Sequence, residues 1–470
     1  MKGSRIHAFA DDLLADHDAV ALADLVRRGE VSARELAEAA IARVEKVNGA
    51  LNAVQLADYE RALEQAGKSG DGVFAGVPSF IKDNTDLKGL PTRHGSLAVP
   101  ATPAPRDGAF ARQYLSLGFS ILGKTNLPEF GFNGTTEYQG LEPTRNPWHT
   151  GYSSGGSSGG SAALVAAGAV PIAHANDGGG SIRIPAACCG LVGLKSTRGR
   201  FVDGEMARTL PVKVVSEGVV TRSVRDTAHF FAGAEQYQRA RKLPPIGLVE
   251  GPGARRLRIG LIVDSITGSP TCPETRAAIE QTVALLEGLG HHVEEVPHPA
   301  KASFIEDFAD YWGFLAFMAS RFGKHSLGKE FDADKLDDLS KGLAARFRRR
   351  GWRSPLTMLR LQNTRRAHAK AMRQHDLILS PVLAHVTPQL GHISPDVPFD
   401  ELFERMMNYV SFTPINNANG SPAISLPLGR SADGLPIGVQ FSAAHGDERT
   451  LLEMAYELEQ AAPWQRIQDA

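Results

Sequence analysis

The chain has 470 residues, of which 42% are hydrophobic and 22% charged, enough to bury a large core in one α/β domain or in two to three smaller ones. The net charge of −1 argues against nucleic-acid binding, which needs a basic surface, and the arginines between Arg346 and Arg353 are interpreted as a solvated helix face. No apolar run approaches the roughly 20 residues that span a bilayer. Three cysteines without disulfide or metal spacing favour the reducing cytoplasm.

The N-terminal half is predicted to open with two helices. Asp18 precedes the helix-forming run AVALADLVRR, and Ser32 with Glu35 forms a capping-box pattern ahead of LAEAAIARVEKV. The other elements predicted in this half are strands at Val77–Ile81, which leads into Lys82, and at Phe119–Leu122, a loop at 147–154 and a tightly packed helix at 161–167.

The C-terminal half alternates strand and helix patterns. The run LRIGLIVD, the amphipathic segment Pro273–Gly288 and the segment His292–Val296 together predict a βαβ unit. Residues 300–375 become helical, aromatic and charged. The remaining predicted elements are strands at 377–380, 423–426 and 437–441 and a helix at 448–460. This alternation predicts one α/β domain over residues 1–470, with a helical insertion at 300–375 near the substrate entrance.

Residues Gly118–Thr125 match the Walker A phosphate-binding pattern letter for letter. A phosphate loop needs flexible residues between its glycines and a helix directly after the threonine. Here the intervening residues form β-structure readily, and Pro128 interrupts the helix. A strand followed by a turn is therefore predicted, without a nucleotide site.

Residues Gly155–Gly159 match G-x-S-x-G, the nucleophile elbow of α/β-hydrolases. That elbow follows a strand, whereas the residues before Gly155 are predicted to be loop. His445 would serve as the late histidine of a Ser/His esterase. This mechanism is kept as an alternative.

Three consecutive glycines, Gly178–Gly180, precede Ser181. Without side chains in the way, successive backbone N–H groups converge on one point. That is the design of an oxyanion hole beside a nucleophile, so the pattern predicts that Gly178, Gly179 and Gly180 stabilise an oxyanion next to Ser181.

Several motifs together resemble the amidase signature family. They are GGSSGG at 155–160, DGGGSIRIP at 177–185, CGLVGLK at 189–195, GVP at 76–78, IKD at 81–83, GKTNLPE at 123–129 and GLPIGVQ at 434–440. The resemblance runs from about residue 18 to 460 in the family's order. It implies a large, twisted mixed sheet sandwiched by helices.

The resemblance also implies the catalytic residues. Ser181 is the nucleophile, Ser157 is a bridging serine on a cis peptide, and Lys82 is the base, with no metal or organic cofactor. Lys82 ends an apolar run, and burial would lower its pKa towards neutrality. Residues expected to support the site are Ser158, Asp177 and Arg183, the last two as a structural ion pair. Packing roles are expected for His174, Cys188 and Cys189.

One departure from the family pattern precedes the nucleophile. Many members have threonine before the aspartate and a bulkier residue after it, where this chain has Asn176 and Gly178. The departure leaves the nucleophile in place and questions the hydroxyl support around it.

The run from Arg208 to Arg222 resembles the bacterial branch with aryl acylamidases, nylon cyclic-oligomer hydrolases and urethane-cleaving members. The expected substrate is therefore a small apolar amide, anilide or carbamate. An apolar pocket wall or a core helix is expected of Phe304, Phe308, Tyr311, Trp312, Phe314 and Phe317. An ammonia-supplying subunit of an amidotransferase is the second function class considered, and a homodimer is an open alternative for assembly.

Overall fold

A computed structural model describes residues 4–68 and 70–470 and centres on an eight-stranded sheet. The strands are β1 Val54–Ala57, β2 Pro78–Lys82, β3 Ser120–Thr125, β4 Arg145–Asn146, β5 His149–Ser153, β6 Ile172–Asp177, β7 Val192–Lys195, β8 Ser216–Thr221, β9 Arg258–Leu261, β10 His292–Glu295, β11 Leu377–Pro381, β12 Ala423–Arg430 and β13 Pro436–Ala443. The order in the large sheet is β10-β9-β11-β13-β12-β7-β8-β6.

The helices pack on this sheet and extend beyond it. They are α1 Ala19–Arg27, α2 Ala33–Leu51, α3 Tyr59–Gln65, α4 Ala109–Leu115, α5 Gly159–Ala166, α6 Arg183–Cys189, α7 Glu205–Arg208, α8 Val224–Tyr237, α9 Pro273–Gly288, α10 Ser303–Ser326, α11 Asp338–Arg350, α12 Ser354–Ala371, α13 Phe399–Tyr409, α14 Pro414–Asn419 and α15 Glu448–Ala461. Short 3₁₀ turns lie at Glu129–Gly131, Ala333–Lys335, Gly351–Arg353 and Ile467–Asp469.

The mixed α/β fold confirms the prediction. Strand β9 pairs in parallel with β10 and β11, and the other neighbours in the large sheet are antiparallel. The predicted βαβ unit is β9-α9-β10, and α9 has the predicted bounds. The capping box at Ser32 and Glu35 is present, and Asp18 caps α1. The largest hydrophobic cluster draws on residues from Ala8 to Leu458.

Two parts of the prediction were incomplete. The loop predicted at 147–154 contains β5, which pairs with β4 in a separate two-stranded hairpin. Strands β6, β7 and β8 of the large sheet were not predicted. Their side chains are buried on both faces, so polar–apolar alternation is absent, and their polar and glycine residues interrupt the apolar runs by which equally buried strands such as β11 were predicted.

A three-stranded sheet, ordered β1-β3-β2, lies against the β6 edge of the large sheet. Ser79 Oγ on β2 donates to the carbonyl oxygen of Ile172 at 2.8 Å, and the Lys82 N–H donates to His174 Nδ1 at 3.2 Å. These side-chain hydrogen bonds connect the two sheets. They place the end of β2 beside the end of β6.

Residues 303–371 form α10, α11 and α12, so the segment is helical as predicted. The prediction of a solvated basic face was partly wrong, because only some of the arginines are free of partners. Arg348 and Arg349 are exposed, whereas three others form ion pairs with Glu306 and Asp310 on α10. The paired residues are Arg346, Arg350 and Arg353. Buried and half-buried ion pairs therefore hold α11 and the start of α12 against α10.

Over residues 4–68 and 70–470, none of the helices combines the length and the apolar character that crossing a membrane requires.

Gly438 on β13 sets how closely α6 approaches the sheet. A Cβ at this position would lie 2.4 Å from Ala187 Cβ and 2.8 Å from Ala187 Cα, so Gly438→Ala forces the helix away from the strand. We expect the free energy of unfolding to fall by about 1–3 kcal/mol, measured by chemical denaturation. The control is Gly288→Ala at the exposed end of α9, where a Cβ meets no atom within 4 Å and stability should be kept. Equal stability of the two variants would contradict the argument.

Candidate active site

Lys82 ends β2 with a fully buried side chain. Its Nζ donates to three uncharged oxygens: Ser157 Oγ at 2.8 Å, Ser158 Oγ at 2.9 Å and Asn176 Oδ1 at 2.8 Å. Burial lowers the pKa of Lys82 to about 7, because an ammonium ion loses its hydration there. The negative charges of Glu217 and Asp177 oppose that change only in part. Near neutral pH the amine therefore exists in both protonation states.

Ser157 lies in the glycine-rich turn between β5 and α5, and the Gly156–Ser157 peptide bond is cis, as the resemblance implied. Gly131, which sequence reasoning did not single out, leaves room beside the Ser157 hydroxyl. A Cβ on Gly131 would lie 2.9 Å from Ser157 Oγ, and the φ angle of Gly131 is +71°, which favours glycine. The space around the Ser157 hydroxyl thus depends on a glycine.

Ser181 lies in the turn between β6 and α6, and the Asp177 carboxylate organises this turn. Its Oδ1 accepts from the Gly180 N–H at 2.7 Å, and its Oδ2 accepts from the Ile182 N–H at 3.2 Å. Gly180 has a φ angle of +135°, and a Cβ there would lie 2.3 Å from Thr413 Oγ1. The third glycine of the triplet is therefore required by backbone conformation and by space.

Arg183 forms the predicted ion pair with Asp177, and both side chains are fully buried. Two parallel hydrogen bonds of 2.9 Å join the guanidinium to the carboxylate. Burial by itself would raise the pKa of Asp177, but the charge of Arg183 outweighs burial and lowers this pKa to about 2. Further guanidinium hydrogen bonds go to Thr413, Asn416, Asn417 and Gln440. The pair fixes the turn that carries Ser181 to α14 and β13.

The oxyanion-hole prediction needs one correction. The Gly180 N–H donates to Asp177 Oδ1, so this amide is not free to bind a substrate oxygen. The N–H groups of Gly178, Gly179 and Ser181 have no hydrogen-bond partner within the described part of the chain, and these three residues line a cavity. The donors available at this position are therefore the amides of Gly178, Gly179 and Ser181, without that of Gly180.

The cavity has a volume of about 180 Å³, and Ser157 and Ser181 both line it. Its polar wall includes Asn84 and Asn176. The apolar wall includes Phe130, Phe132, Ile184, Leu315, Met406 and Val410, together with Phe304, Phe308, Tyr311 and Trp312 from α10. Of the lining residues in the described chain, none has a charged side chain.

The aromatic residues predicted as a pocket wall or a core helix therefore divide between the two. Four of them line the cavity. Phe314 and Phe317 pack on Phe347 of α11, with ring centroids 5.5 and 5.0 Å apart.

A protein-family model described as Amidase matches residues 35–452. The chain belongs to the amidase signature family. AmiC of Mycobacterium tuberculosis, a candidate amidase, is 50% identical over 467 residues, which cover 99% of this chain and 98% of AmiC. The 6-aminohexanoate-cyclic-dimer hydrolase of Paenarthrobacter ureafaciens is 35% identical over 473 residues, or 95% of each chain.

Two solved structures have a similar fold. A 6-aminohexanoate cyclic dimer hydrolase complexed with substrate gives a TM-score of 0.88 at 33% identity, covering 97% of this chain and 99% of that one. A bacterial aryl acylamidase gives a TM-score of 0.85 at 26% identity, covering 96% and 98%. The protein is thus an amidohydrolase of the amidase signature fold.

The amidase lacks the geometry of the alternative Ser/His esterase. His445 does not line the cavity of Ser157 and Ser181, and the strand before Ser157 belongs to the β4-β5 hairpin instead of the central sheet. Burial, aided by the positive charge of Arg365, lowers the pKa of His445 to about 4. The α/β-hydrolase alternative was therefore wrong.

Sequence reasoning missed the function of Asn176 as a hydrogen-bond partner of Lys82. The one available signal was the departure from the family pattern at this position, which was interpreted only as a loss of hydroxyl support. The Asn176 carboxamide also pairs with Asn84 through two hydrogen bonds of 3.1 and 3.2 Å. An amide oxygen therefore stands beside the lysine.

His174 is packed in the core, as predicted, and also supports Lys82. Its Nδ1 accepts from the Lys82 N–H, so in the neutral ring Nε2 carries the hydrogen and donates to Glu217 Oε2 at 3.0 Å. Burial lowers the pKa of His174, which favours this neutral form. The histidine holds the backbone of the lysine and leaves its amine free.

The remaining sequence motifs have structural positions. Cys188 and Cys189 are buried, as predicted, and burial raises the pKa of both thiols. Lys124 of the Walker-like run lies in β3 and forms a buried 2.9 Å ion pair with Asp83, so the predicted strand is confirmed. Across the described residues, no group of three or more His, Cys, Asp or Glu side chains is arranged to hold a metal ion.

The pKa of Lys82 predicts how amidase activity depends on pH. Only the unprotonated amine has a lone pair to accept a proton, so we expect kcat/KM to rise with pH and to level off above an apparent pKa near 7. Steady-state hydrolysis of a nitroanilide between pH 5 and 9 measures this limb. The control is Lys195→Met, because burial also lowers the pKa of Lys195 to about 7 but its Nζ contacts Ser196 and Ser216 instead of Ser157. If Lys195→Met loses the rise of kcat/KM with pH, the titrating group is Lys195 and not Lys82.

Proposed function

We propose that this amidohydrolase forms an acyl-enzyme on Ser181, with Ser157 as proton carrier and Lys82 as base. The observation that carries the proposal is the 2.8 Å contact between Lys82 Nζ and Ser157 Oγ, made by a buried lysine beside the cavity that also holds Ser181. A base with a pKa near the working pH transfers protons efficiently. A serine activated by such a relay is a nucleophile.

In the acylation step, the Ser181 hydroxyl proton passes to Ser157 Oγ while the Ser157 hydroxyl proton passes to Lys82 Nζ. Ser181 Oγ bonds to the substrate carbonyl carbon, and the C=O π pair moves onto the oxygen. The free N–H groups of Gly178, Gly179 and Ser181 supply donors for that oxyanion, each typically worth about 3 kcal/mol in the transition state. The proton then returns from Lys82 through Ser157 to the leaving nitrogen, and the C–N bond breaks.

In the deacylation step, water replaces Ser181 as the group that loses a proton. Lys82 accepts this proton through Ser157, the hydroxide oxygen attacks the acyl carbon, and Ser181 leaves as the alcohol. Among the described hydrogen bonds, none joins Ser157 Oγ to Ser181 Oγ, and catalytic contacts of this kind often form only in the substrate complex. The relay therefore requires a serine side-chain rotation when substrate binds.

The cavity supports a neutral, apolar substrate. Moving a charged group into a site without a charged partner is costly, and the lining contains aromatic and aliphatic side chains. The similar proteins are named for a cyclic aminohexanoate dimer and for aryl acyl amides. We therefore propose apolar amides and anilides as substrates, with carbamates and esters as side activities.

The same proposal extends to the domain organisation, the substrate entrance and the cellular setting of the enzyme. Residues 1–470 form one catalytic domain, and the 300–375 helices cover the substrate entrance, since α10 lines the cavity. The free-standing enzyme acts on a small molecule in the cytoplasm. Turnover of an amide by the purified single chain tests this against an ammonia-supplying subunit.

The first test is covalent labelling by an alkyl phosphonate followed by peptide mass spectrometry. We expect the adduct on Ser181, none in Ser181→Ala, and a slower adduct in Ser157→Ala, because Ser157 passes a proton without bonding to the probe. Lys82→Ala should lose at least about 10³-fold in kcat/KM, given the size of general-base and nucleophile-activation effects. His445→Ala is the matched control and should keep most activity. An adduct in the 155–160 peptide would overturn the relay.

The second test compares substrates of one size and different charge. We expect a nitroanilide with a terminal carboxylate on its acyl chain to be hydrolysed at least about 100-fold less efficiently than its methyl ester, since burying an unpartnered charge costs about 3 kcal/mol or more. The ester is the control because it restores neutrality with little change in length. Equal kcat/KM values for the acid and the ester would exclude an uncharged binding site.

A further inference from the structure

The hydrogen atoms around Lys82 Nζ can be counted. A neutral amine has two N–H hydrogens and one lone pair, and Nζ has three oxygen neighbours within 2.9 Å. Two neighbours must therefore accept hydrogens, and the third must donate a hydrogen to the lone pair. The neighbour that donates decides the direction of the Lys82 lone pair.

Asn176 cannot be the donor. Its Oδ1, which faces Nζ, is a carboxamide oxygen and only accepts. The same oxygen accepts from Asn84 Nδ2 at 3.2 Å, and Asn176 Nδ2 donates back to Asn84 Oδ1 at 3.1 Å. This reciprocal pair holds the carboxamide of Asn176 in one orientation. One Nζ hydrogen is thereby committed to Asn176.

Ser158 is also an acceptor at Nζ. Its hydroxyl hydrogen is directed to the main-chain carbonyl oxygen of Asn176, 3.4 Å from Ser158 Oγ. The Ser158 lone pairs then face Nζ at 2.9 Å and take the second hydrogen. The hydroxyl hydrogen of Ser157 has no acceptor other than Nζ among the described hydrogen bonds.

We propose that Asn176 is a positioning residue that, together with Ser158, holds both hydrogens of neutral Lys82 and so directs the amine lone pair at Ser157 Oγ. The inference rests on the proposed function, in which Ser157 passes its proton to Lys82. It assigns a task to the residue at which this chain departs from the threonine of many family members.

The same three oxygens also accommodate the product of proton transfer. When Nζ takes the Ser157 proton, the ammonium has three hydrogens for three acceptors, and no neighbour has to move. All three contacts are uncharged, so none of them holds the proton on Lys82 permanently. The charged groups that act on the amine from further away are Glu217 on β8 and Asp177 on β6, and neutral His174 contacts the Lys82 backbone.

The substitution Asn176→Asp tests the proposal, because it replaces only the side-chain NH₂ group by an oxygen atom or a hydroxyl. The introduced carboxyl group would take up the lone pair in either of its states, because a carboxylate stabilises the ammonium and a protonated carboxyl donates its own hydrogen to the amine. For Asn176→Asp we expect the acid limb of kcat/KM and of Ser181 labelling to move to higher pH by about 1–3 pH units. At pH 7, where half of the wild-type amine is neutral, a one-unit move corresponds to about a fivefold loss and a larger move to a greater loss, which is recovered at higher pH.

Two further variants complete the experiment. Asn84→Asp adds the same charge one hydrogen bond further from Nζ, so its limb should move less than that of Asn176→Asp. Asn176→Leu keeps the side-chain size without an acceptor and should reduce kcat and the rate of Ser181 labelling at least about tenfold. Thermal unfolding of each variant confirms that it is folded.

The outcomes separate this inference from the function on which it rests. A wild-type limb near pH 7, dependent on Lys82, together with an unmoved limb in Asn176→Asp would overturn the positioning role alone. Full kcat in Asn176→Leu would also overturn the positioning role. So would an acid limb in Asn84→Asp that moves as far as the limb in Asn176→Asp. An active Lys82→Ala enzyme, or an adduct away from Ser181, would overturn both.

Discussion

The active site depends on the burial of one amine among uncharged oxygens. The contrast with Lys124 makes the constraint clear, because both lysines lie at the ends of neighbouring strands and both are fully buried. Lys124 has the Asp83 carboxylate at 2.9 Å, which stabilises its ammonium form. Lys82 has only two hydroxyls and a carboxamide at that range, so burial brings its pKa to about 7. The Asp83 carboxylate separates Lys124 from Lys82, and the contact with Ser157 separates Lys82 from Lys195, whose pKa burial also lowers to about 7.

The turn that carries Ser181 is held by two opposite charges, in contrast to the uncharged surroundings of Lys82. Asp177 and Arg183 are equally buried, but they neutralise each other and spread further hydrogen bonds over α14, β13 and the turn itself. Such a pair stabilises one geometry more than it stabilises the fold, because desolvation offsets much of its attraction. Its commitment of the Gly180 amide explains why a run of three glycines leaves two glycine N–H groups free.

Much of the fold and of the candidate site could be predicted from the sequence. Helix caps, the βαβ unit and the motif residues Lys82, Ser157 and Ser181 follow from local patterns, and the structure places both serines on one cavity with Lys82 Nζ 2.8 Å from Ser157 Oγ. Strands β6 to β8 could not be predicted, since burial on both faces removes alternation and their polar and glycine residues interrupt any apolar run. The partners Asn176 and Gly131 depend on distances between segments remote in sequence. The occupied Gly180 amide depends on a side chain three residues away, which composition does not reveal.

The serines of the cavity and four of its aromatic side chains come from separate parts of the chain. Residues from Lys82 to Ser181 supply the proposed reacting groups, whereas α10 supplies four aromatic side chains and is held from outside by arginines of α11. Substitutions on the cavity face of α10 therefore alter shape and polarity without touching the proton relay or the turn that carries Ser181. This separation makes the enzyme evolvable. A mutant library restricted to that helix face samples new cavity shapes while every member retains Lys82, Ser157 and Ser181.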